Sequence, residues 1–417
     1  MYQIMISAGE ASGDMHGASL LKALQANNVD FRCFGMGSDK LAAAGTELLV
    51  DFSDLAVMGY VEVLLNYRQL KRRLQLLQQN LKQQRPDILV LIDYASFNLK
   101  LAATARELGI PVLFYISPKI WASRPGRIKT IAANVSHMAL IFPFELNLFE
   151  KVNVPATYVG NPLLDQIDVV DSTDGARQQL RPFLKGNISE DSSEKWVGLI
   201  PGSRQAEIRY NLPVMLEAAA QLDNNLEEPC LFLLPLADTI RPELVETVIA
   251  STKKGIRLVV VEQQSHTVMR ACDALIVGSG TATLEAAVIG TPMVTLYVMH
   301  WLNYQIMRRL VISEFVTLVN IQAGKEVVHE LIQHQATPAA LAEETQRLLH
   351  DLPYREQMVK ELANIRQQML DEPADVSEQV DVDHRNSASS TSDSGSTASG
   401  ASARLAVLLQ QMLQTPG

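Results

Sequence analysis

The fold is decided by two stretches, IMISAGEASGD at residues 4–14 and VGLIPGSRQAEI at residues 197–208. In each, an apolar run stops at a turn of small and polar residues, and a helical pattern follows. The backbone N–H groups and the dipole at the start of such a helix favour an anion. We therefore predict an α/β protein with two Rossmann-like domains facing a cleft, where a phosphorylated ligand binds at the strand ends.

The composition narrows the class of protein. The chain has 417 residues, of which 47% are hydrophobic, enough to bury two ordinary cores. A formal net charge of −10 argues against nucleic acid as a partner, because such binders neutralise many phosphates with Lys and Arg. Three widely spaced cysteines favour a reducing compartment. Since no apolar run approaches the roughly 18 residues of a membrane span and no signal peptide is evident, we expect a cytoplasmic protein.

Both halves alternate buried strands with helices. The predicted strands cover residues 88–92, 112–116 and 139–142 in the first half, and 197–200, 230–234, 256–261, 274–277 and 293–297 in the second. Residues 166–195 are the expected connection between the domains. The predicted organisation is a first Rossmann-like domain at 1–165, a second at 166–372, a flexible Ser-rich linker at 373–402, and a docking helix at 403–417.

Several familiar nucleotide-binding and metal-binding sites are excluded because the chain lacks their motifs at the required spacing or position. The chain has no Gly-x-x-x-x-Gly-Lys-Ser/Thr loop, and its first turn lacks the Gly-x-Gly-x-x-Gly spacing, so neither an ATPase nor an NAD enzyme is supported. Asp381-Val382-Asp383 resembles the metal-binding pair of one glycosyltransferase class, but it lies beside the Ser-rich linker rather than at a strand end. We predict no metal site.

The second half carries two candidate phosphate-binding turns. Arg204 adds a guanidinium to the backbone donors of Gly202 and Ser203, which favours a phosphate over a purely structural turn. Residues 277–287 form a second Gly-rich turn that leads into a helix. About one helical turn along, Glu285 can accept from a ribose diol, or it is an ordinary capping or surface carboxylate.

The first half carries a candidate base. Asp93 ends the apolar run 88–92, where partial burial raises the basicity of a carboxylate, as a general base needs. The alternative is that Asp93 caps the following helix. In the first turn Glu10 and Asp14 would repel a phosphate, which favours a hydroxyl-rich or lipid-linked acceptor. Alternatively this turn is only tight chain geometry, with Ser12 as the helix cap.

Residues 55–65 are too densely apolar for one buried stripe and lead into a basic cluster. This pattern predicts a surface helix that contacts acyl chains and anionic headgroups, and the alternative is a core helix with a solvated basic face. The predicted membrane contacts are Val57, Met58, Tyr60, Val61, Leu64, Leu65, Arg68, Arg72 and Arg73.

With these residues in hand, the chain resembles the lipid-A-disaccharide synthases, membrane-associated glycosyltransferases of the GT-B type. The resemblance covers most of residues 4–349. It rests on GEASGD at 9–14, LAVMG at 55–59 with VEVL at 61–64, ID at 92–93 with FN at 97–98, SP at 117–118 with WA at 121–122, LIPGSR at 199–204 with AE at 206–207, SGTA at 279–282 with LE at 284–285, and Asn320 with AG at 323–324.

The resemblance implies inverting transfer of 2,3-diacylglucosamine from its UDP derivative to the 6-hydroxyl of 2,3-diacylglucosamine 1-phosphate, at the inner face of the inner membrane and without a metal or cofactor. Domain 1–165 would bind the acceptor and the membrane, and domain 166–372 the UDP-sugar. Catalysis would fall to Asp93 as base and to Arg204. The residues expected at the UDP-sugar are Gly202, Ser203, Arg204, Gly280, Thr281, Glu285 and Asn320, and those at the acceptor are Glu10, Ser12, Asp14 and Asn98.

This chain departs from the family pattern in the acceptor half. Ala95-Ser96 replaces the usual Pro-Asp, Ser123 replaces an aromatic residue, and Asn161 replaces a histidine. Two alternatives therefore stay open: a paralogue that uses another acylated-sugar acceptor, and a non-catalytic UDP-sugar-binding regulator. The sequence also leaves open whether the protein is a homodimer.

Overall fold

The computed structural model describes residues 1–52, 67–123, 125–167, 172–184, 194–252, 255–370 and 400–414. The chain divides into two compact units, the first formed by Met1–Asp165 with Met369–Gly417 and the second by Gln166–Gln368. Each unit contains one parallel sheet with its helices, which confirms the predicted α/β class with two Rossmann-like domains. No described helix combines the length and the apolar character that a membrane span requires.

The first unit is built on seven strands. They are β1 (Tyr2–Ala8), β2 (Phe31–Gly37), β3 (Thr46–Asp51), β4 (Ile88–Ile92), β5 (Val112–Tyr115), β6 (His137–Leu140) and β7 (Ala156–Tyr158). Its first helices are α1 (Ala11–Ala26), α2 (Asp39–Ala43), α3 (Tyr67–Gln84), α4 (Ala95–Glu107), α5 (Arg127–Asn134) and α6 (Leu146–Glu150). In the order β3-β2-β1-β4-β5-β6-β7, the strands β2 and β3 are added on one side of β1, and the strands from β4 onward on its other side. Parallel sheets bind ligands at such a switch point, here at the carboxyl ends of β1 and β4.

The second unit repeats this design with six strands. They are β8 (Lys195–Ile200), β9 (Cys230–Leu236), β10 (Leu258–Glu262), β11 (Ala274–Gly278), β12 (Met293–Tyr297) and β13 (Glu330–Ile332). The helices are α7 (Thr173–Leu184), α8 (Gln205–Asn225), α9 (Pro242–Thr252), α10 (Ser265–Ala271), α11 (Thr281–Ile289), α12 (Trp301–Leu310), α13 (Leu318–Ala323), α14 (Pro338–His350) and α15 (Leu352–Leu370). In the order β10-β9-β8-β11-β12-β13, the switch point lies between β8 and β11.

Continuous apolar runs predict several strands well, and mixed sequences hide others. The runs at 88–92 and 293–297 coincide with β4 and β12. Strand β2 has no such run because it contains Gly35, where the backbone has φ +149° and a Cβ atom would clash with the carbonyl oxygen of Ile6. Glycine is therefore required inside this strand, where it breaks the apolar pattern.

The segment 166–195, expected to be only a connection, contains the packed helix α7. Ala176, Leu180 and Leu184 form its buried stripe, and the helix packs against α10. The guanidinium of Arg177 donates to the carbonyl oxygen of Ala271 at 2.9 Å. This part of the connection thus belongs to the core of the second unit.

A terminal helix, α16 (Ala401–Gln414), returns the chain to the first unit and packs on α1. Leu405 and Leu409 are buried in that contact. The carboxylate of Asp165 accepts the backbone N–H of Ala401 at 3.0 Å, and Arg404 Nε donates to the Val159 carbonyl at 2.9 Å. Most of the predicted linker, residues 371–399, lies outside the described residues.

Candidate active site

In the first unit, β4 leads into α4 through two consecutive left-handed residues. Asp93 has φ +45° and Tyr94 has φ +47°, a conformation that costs energy for residues other than glycine. The N-cap of α4 is Tyr94, so the interpretation of Asp93 as a helix cap is wrong. The Asp93 N–H donates to the Tyr115 carbonyl at 3.0 Å, and this bond fixes the turn at the carboxyl ends of β4 and β5.

The Asp93 carboxyl has the electrostatics of a weak base. It is half-buried, and burial raises its pKa above the usual range. The Tyr94 backbone N–H and the positive charge of Lys119 lower the pKa in part. A carboxylate whose pKa lies closer to neutrality accepts a proton from a hydroxyl more readily, so the geometry suits general base catalysis.

Asn98 lies beside this turn but is not available to a ligand. It is fully buried, and its Nδ2 faces the carbonyl oxygens of Ser7, Ile92 and Asp93 at 3.3, 3.2 and 2.8 Å. Its Oδ1 accepts the Ser7 hydroxyl at 2.7 Å. The prediction that Asn98 binds the acceptor is therefore corrected: the side chain joins the ends of β1 and β4 and holds the Asp93 turn in place.

The turn after β1 lies against the same site. A Cβ atom at Gly9 would clash with the Tyr94 ring, so the glycine lets the two turns pack together. Glu10 is the exposed N-cap residue of α1, and its negative charge raises the pKa of the Tyr94 hydroxyl after the larger effect of burial. Ser12 is exposed in the first turn of α1 and is not its cap.

Asp14 has a structural partner instead of a ligand. Its buried Oδ1 accepts the N–H groups of Ser38 at 2.7 Å and Leu41 at 3.3 Å, and Oδ2 accepts that of Lys40 at 3.0 Å. The carboxylate thereby satisfies the first N–H groups of α2. The prediction that Asp14 binds the acceptor is corrected for this reason.

Helix α3 shows the amphipathic pattern of a core helix with a basic outer face. Arg68 and Arg72 are exposed, whereas Leu77 and Leu81 are buried in the core. Arg73 turns inward, and its charge lowers the pKa of the Tyr94 hydroxyl against the effect of burial. The apolar part of the predicted membrane segment, Val57, Met58, Tyr60, Val61, Leu64 and Leu65, lies outside the described residues.

The residues that depart from the family pattern have structural partners here. The hydroxyl of Ser96 accepts from Arg127 Nη2 at 2.7 Å, and Ala95 is buried. Asn161 is buried, donating to the Ile141 carbonyl at 3.2 Å. The Ser123 N–H donates to the Lys119 carbonyl at 3.0 Å. Ser96 is the exposed second residue of α4, directly after the Asp93 turn.

One buried acid near this site was not predicted. Glu145 is almost fully buried, and its Oε1 accepts Nε1–H of Trp121 at 3.1 Å. Burial raises the pKa of Glu145 to about 8, so its carboxyl is mostly protonated at neutral pH. Trp121 belongs to a quoted motif, but its partner lies 24 residues away in sequence, which no spacing rule reveals.

In the second unit, the turn after β8 is already occupied by a carboxylate. Glu207 Oε2 accepts the N–H groups of Ser203 at 2.9 Å and Arg204 at 3.0 Å, and Oε1 accepts Arg204 Nη1 at 2.7 Å. Gly202 has φ +122°, and a Cβ atom there would clash with this carboxylate. The N–H of Ser203, predicted to hold a phosphate, is therefore already bonded to Glu207, which also accepts the N–H of the N-cap residue Arg204 three positions before it, a spacing that is visible in the sequence.

The Arg204 side chain and the start of α11 are accessible to a ligand in the second unit. The Arg204 side chain is 79% exposed, and its guanidinium carries five N–H donors. Gly280 is the N-cap of α11 and Thr281 its exposed first residue. A Cβ atom at Gly280 would meet open space, so the helix start is accessible to an anion.

Glu285 lies in the second turn of α11 and has a partner that was not predicted. Its Oε2 lies 3.2 Å from Nε2 of His266, which belongs to α10. Both side chains are partly exposed, so the pair can be reached from solvent. His266 follows β10 by only a few residues, and this placement at a strand end was its one signal in the sequence.

Asn320, predicted to contact the UDP-sugar, is fully buried, and its side-chain nitrogen and oxygen are both hydrogen-bonded within the protein. Its Nδ2 donates to the Val328 carbonyl and to Glu330 Oε1, both at 2.8 Å, and its Oδ1 accepts the N–H groups of Val327 and Val328. The prediction of direct ligand contact is corrected. Asn320 instead holds the segment before β13 in place.

Asn211 of α8 is another buried amide that was not predicted. Its Nδ2 donates to the Pro201 carbonyl at 2.9 Å and its Oδ1 accepts the Val298 N–H at 3.2 Å. These bonds join the segments that follow β8 and β12. Gly278 permits the arrangement, because a Cβ atom there would lie 2.6 Å from the Pro201 carbonyl oxygen.

Comparison with known proteins gives a consistent family. A family model described as lipid-A-disaccharide synthetase matches residues 4–380. The lipid-A-disaccharide synthase of Trichlorobacter lovleyi is 43% identical over 370 residues, which cover 88% of this chain and 93% of that protein.

Two solved structures share the GT-B fold. MurG of Acinetobacter baumannii has a TM-score of 0.53 at 16% identity, with 91% of this chain and 98% of that chain covered. A glycosyltransferase of kitacinnamycin has a TM-score of 0.58 at 14% identity, with 99% of each chain covered. This chain belongs to the lipid-A-disaccharide synthase family.

Proposed function

From this membership we propose that the protein joins UDP-2,3-diacylglucosamine to 2,3-diacylglucosamine 1-phosphate, forming lipid A disaccharide 1-phosphate and UDP with inversion at the anomeric carbon. The observation that carries the chemistry is the half-buried Asp93 carboxyl, held in a left-handed turn at the end of β4 with a raised pKa. Such a group has the basicity and the fixed position that deprotonation of a sugar hydroxyl requires.

In the proposed mechanism Asp93 takes the proton of the acceptor 6-hydroxyl as that oxygen attacks the anomeric carbon. The bond from the anomeric carbon to the UDP oxygen breaks, and UDP leaves with its electron pair. Arg204 and the N-terminus of α11, at Gly280 and Thr281, stabilise the negative charge that develops on the diphosphate. Glu285 holds the ribose, and His266 orients the Glu285 carboxylate. These groups give the leaving group its charge stabilisation without a metal ion or cofactor.

On the acceptor side, we propose contacts only from side chains that are accessible. Glu10 and Ser12 remain candidates for the sugar hydroxyls because both are exposed beside the Asp93 turn. Asn98 and Asn320 become positioning residues, which act through the backbone that they hold.

We also propose a cytoplasmic location, with the protein bound peripherally to the inner face of the inner membrane. Both proposed substrates carry acyl chains and are dissolved there. Support comes from the exposed basic residues Arg68 and Arg72 of α3, which suit anionic headgroups. Sedimentation equilibrium of the purified chain would establish whether it forms a homodimer.

The test is incubation of purified protein with UDP-2,3-diacylglucosamine and the monosaccharide 1-phosphate, followed by mass analysis of the lipid. The expected product is the tetraacyl disaccharide phosphate, with one UDP released for each disaccharide. Product only with a different acylated glucosamine would show a shifted acceptor. UDP binding with no disaccharide from either acceptor would indicate a regulator and contradict the proposal.

A further inference from the structure

Helix α12 of the second unit carries an apolar stripe that faces solvent. Leu302, Ile306 and Leu310 are 55%, 56% and 45% exposed, and their spacing of four residues places them on one face of the helix. Trp301, on a neighbouring face at the start of the helix, and Ile312, two residues beyond its end, are also exposed. The helix has no buried residue. Isolated exposed apolar residues are ordinary, but a contiguous stripe of this kind marks an interaction surface.

The charges within α12 itself have one sign, and the acid that follows it most closely along the chain is the exposed Glu314, four residues beyond its end. Arg308 and Arg309 lie in the last turn of α12, and both are exposed. Residues 298–313 contain no Asp or Glu, although the whole chain has a formal net charge of −10. A cationic, apolar surface on an acidic protein is complementary to anionic headgroups above acyl chains. Trp301 has the amphipathic ring that prefers the boundary between those two layers.

A second copy of the chain fits this surface less well. In a two-fold dimer the same patch meets itself, so two surfaces that both carry positive charge would face each other. No acidic side chain within residues 298–313 would compensate that repulsion. An anionic bilayer supplies the opposite charge and an apolar layer together.

We propose that α12 is a membrane-docking element, with Leu302, Ile306 and Leu310 inserted among the acyl chains of an anionic bilayer, Trp301 at the boundary between chains and headgroups, and Arg308 and Arg309 at the headgroups. This surface is separate from the predicted contact of residues 57–73 in the first unit. Vesicle binding needs no sugar transfer, so failure of this inference is distinguishable from failure of the proposed reaction.

The test measures where Trp301 lies when the full chain binds vesicles of phosphatidylcholine and phosphatidylglycerol. Brominated acyl chains quench a tryptophan that enters the bilayer. We expect quenching of wild-type emission and its loss in Trp301→Phe, which keeps an apolar ring and leaves Trp121 and Trp196 in place. Equal quenching of both proteins, or none on bound vesicles, would contradict the proposal, whichever other segment touches the membrane.

A second measurement tests the stripe by co-sedimentation. The variant with Leu302→Ser, Ile306→Ser and Leu310→Ser is expected to bind these vesicles about tenfold less tightly. The matched control, Leu352→Ser with Val359→Ser, removes exposed apolar side chains of α15 in the same unit and is expected to bind like wild type. Unfolding temperatures of all variants verify that each is folded.

The charge and the alternative occupant are tested in the same assay. Arg308→Gln with Arg309→Gln should weaken binding about tenfold on vesicles containing phosphatidylglycerol and little on pure phosphatidylcholine. If the stripe variant binds vesicles like wild type, the proposal is wrong. Should that variant also change from dimer to monomer in sedimentation equilibrium, the surface binds a second copy instead.

Discussion

In the first unit, Asn98 ties the end of β1 to that of β4, and in the second unit Asn211 ties the segments after β8 and β12. Both amides are buried and use donor and acceptor atoms of the same side chain. The groups presented beside them differ. Next to Asn98 lies a half-buried carboxyl with a raised pKa, and near Asn211 lies a guanidinium that is 79% exposed.

This difference fits the role that we propose for each group. A carboxylate becomes a useful base only when it loses part of its solvation, so Asp93 lies in a tight turn partly shielded from water. A guanidinium stays charged in any environment, so Arg204 needs access to its ligand rather than burial. In this structure Glu207 binds the guanidinium and the helix N-terminus as an internal anion, which the proposed diphosphate would have to displace. The comparison predicts that the first unit is sensitive to isosteric changes and the second to loss of charge.

The largest expected effect is that of Asp93→Asn. An amide keeps the shape but cannot accept the proton, so kcat should fall about 1000-fold. Because the raised pKa means that a charged Asp93 costs folding free energy at neutral pH, the unfolding temperature should stay the same or rise. Turnover and thermal unfolding are the measurements. Glu107→Gln, an exposed carboxylate at the far end of α4, is the control; a fully active Asp93→Asn would remove Asp93 from the mechanism.

The next effect tests the second unit. Arg204→Ala should lower kcat about 100-fold and weaken UDP binding, since the guanidinium is proposed to hold the leaving diphosphate. Arg209→Ala on the same helix is also an exposed arginine and should change neither quantity. Steady-state kinetics and calorimetric titration with UDP measure both. Unchanged UDP affinity in Arg204→Ala would end the claim that the two units divide the chemistry as described.

A third prediction compares the two amides by stability. Asn98→Ala leaves buried carbonyl groups and the Ser7 hydroxyl without their partner, and should lower the free energy of unfolding of its unit by about 3 kcal/mol. Asn211→Ala loses fewer bonds and should cost about 2 kcal/mol. Urea unfolding measures both, with Asn225→Ala, an exposed side chain at the end of α8, as the control. Equal values for Asn98→Ala and the control would show that this amide does not hold the strand ends.

The smallest effect concerns Glu145 and pH. Its pKa of about 8 in the folded protein lies above the usual value of 4.5, so the folded state binds the extra proton between these limits. Stability of the wild type should therefore fall as pH rises through that window and level off above it. Glu145→Gln has no such proton, and its unfolding temperature should decline less between pH 6 and about 8. Parallel decline in both proteins would show that Glu145 does not titrate in this range.

The sequence predicted groups at strand ends but not the partners that those groups find. Asp93 and Arg204 lie at the strand ends where an apolar run stops, and that rule needs only local sequence. Asp14, Asn98 and Asn320 were assigned to ligands because each is polar and belongs to a motif. Their partners are backbone groups that the fold brings near, such as the N–H of Ser38, 24 residues from Asp14. Spacing alone cannot distinguish a residue that touches a ligand from one that holds the backbone behind it.

The first unit is assembled from both ends of the chain, and this has a consequence for biosynthesis. Residues 1–165 are translated before the second unit, but α16, which buries Leu405 and Leu409 against α1, is translated after it. The second unit is one continuous run and can complete its core as soon as residue 368 has emerged. A premature stop codon just before α16 would therefore damage the unit that is translated first and leave the later one whole.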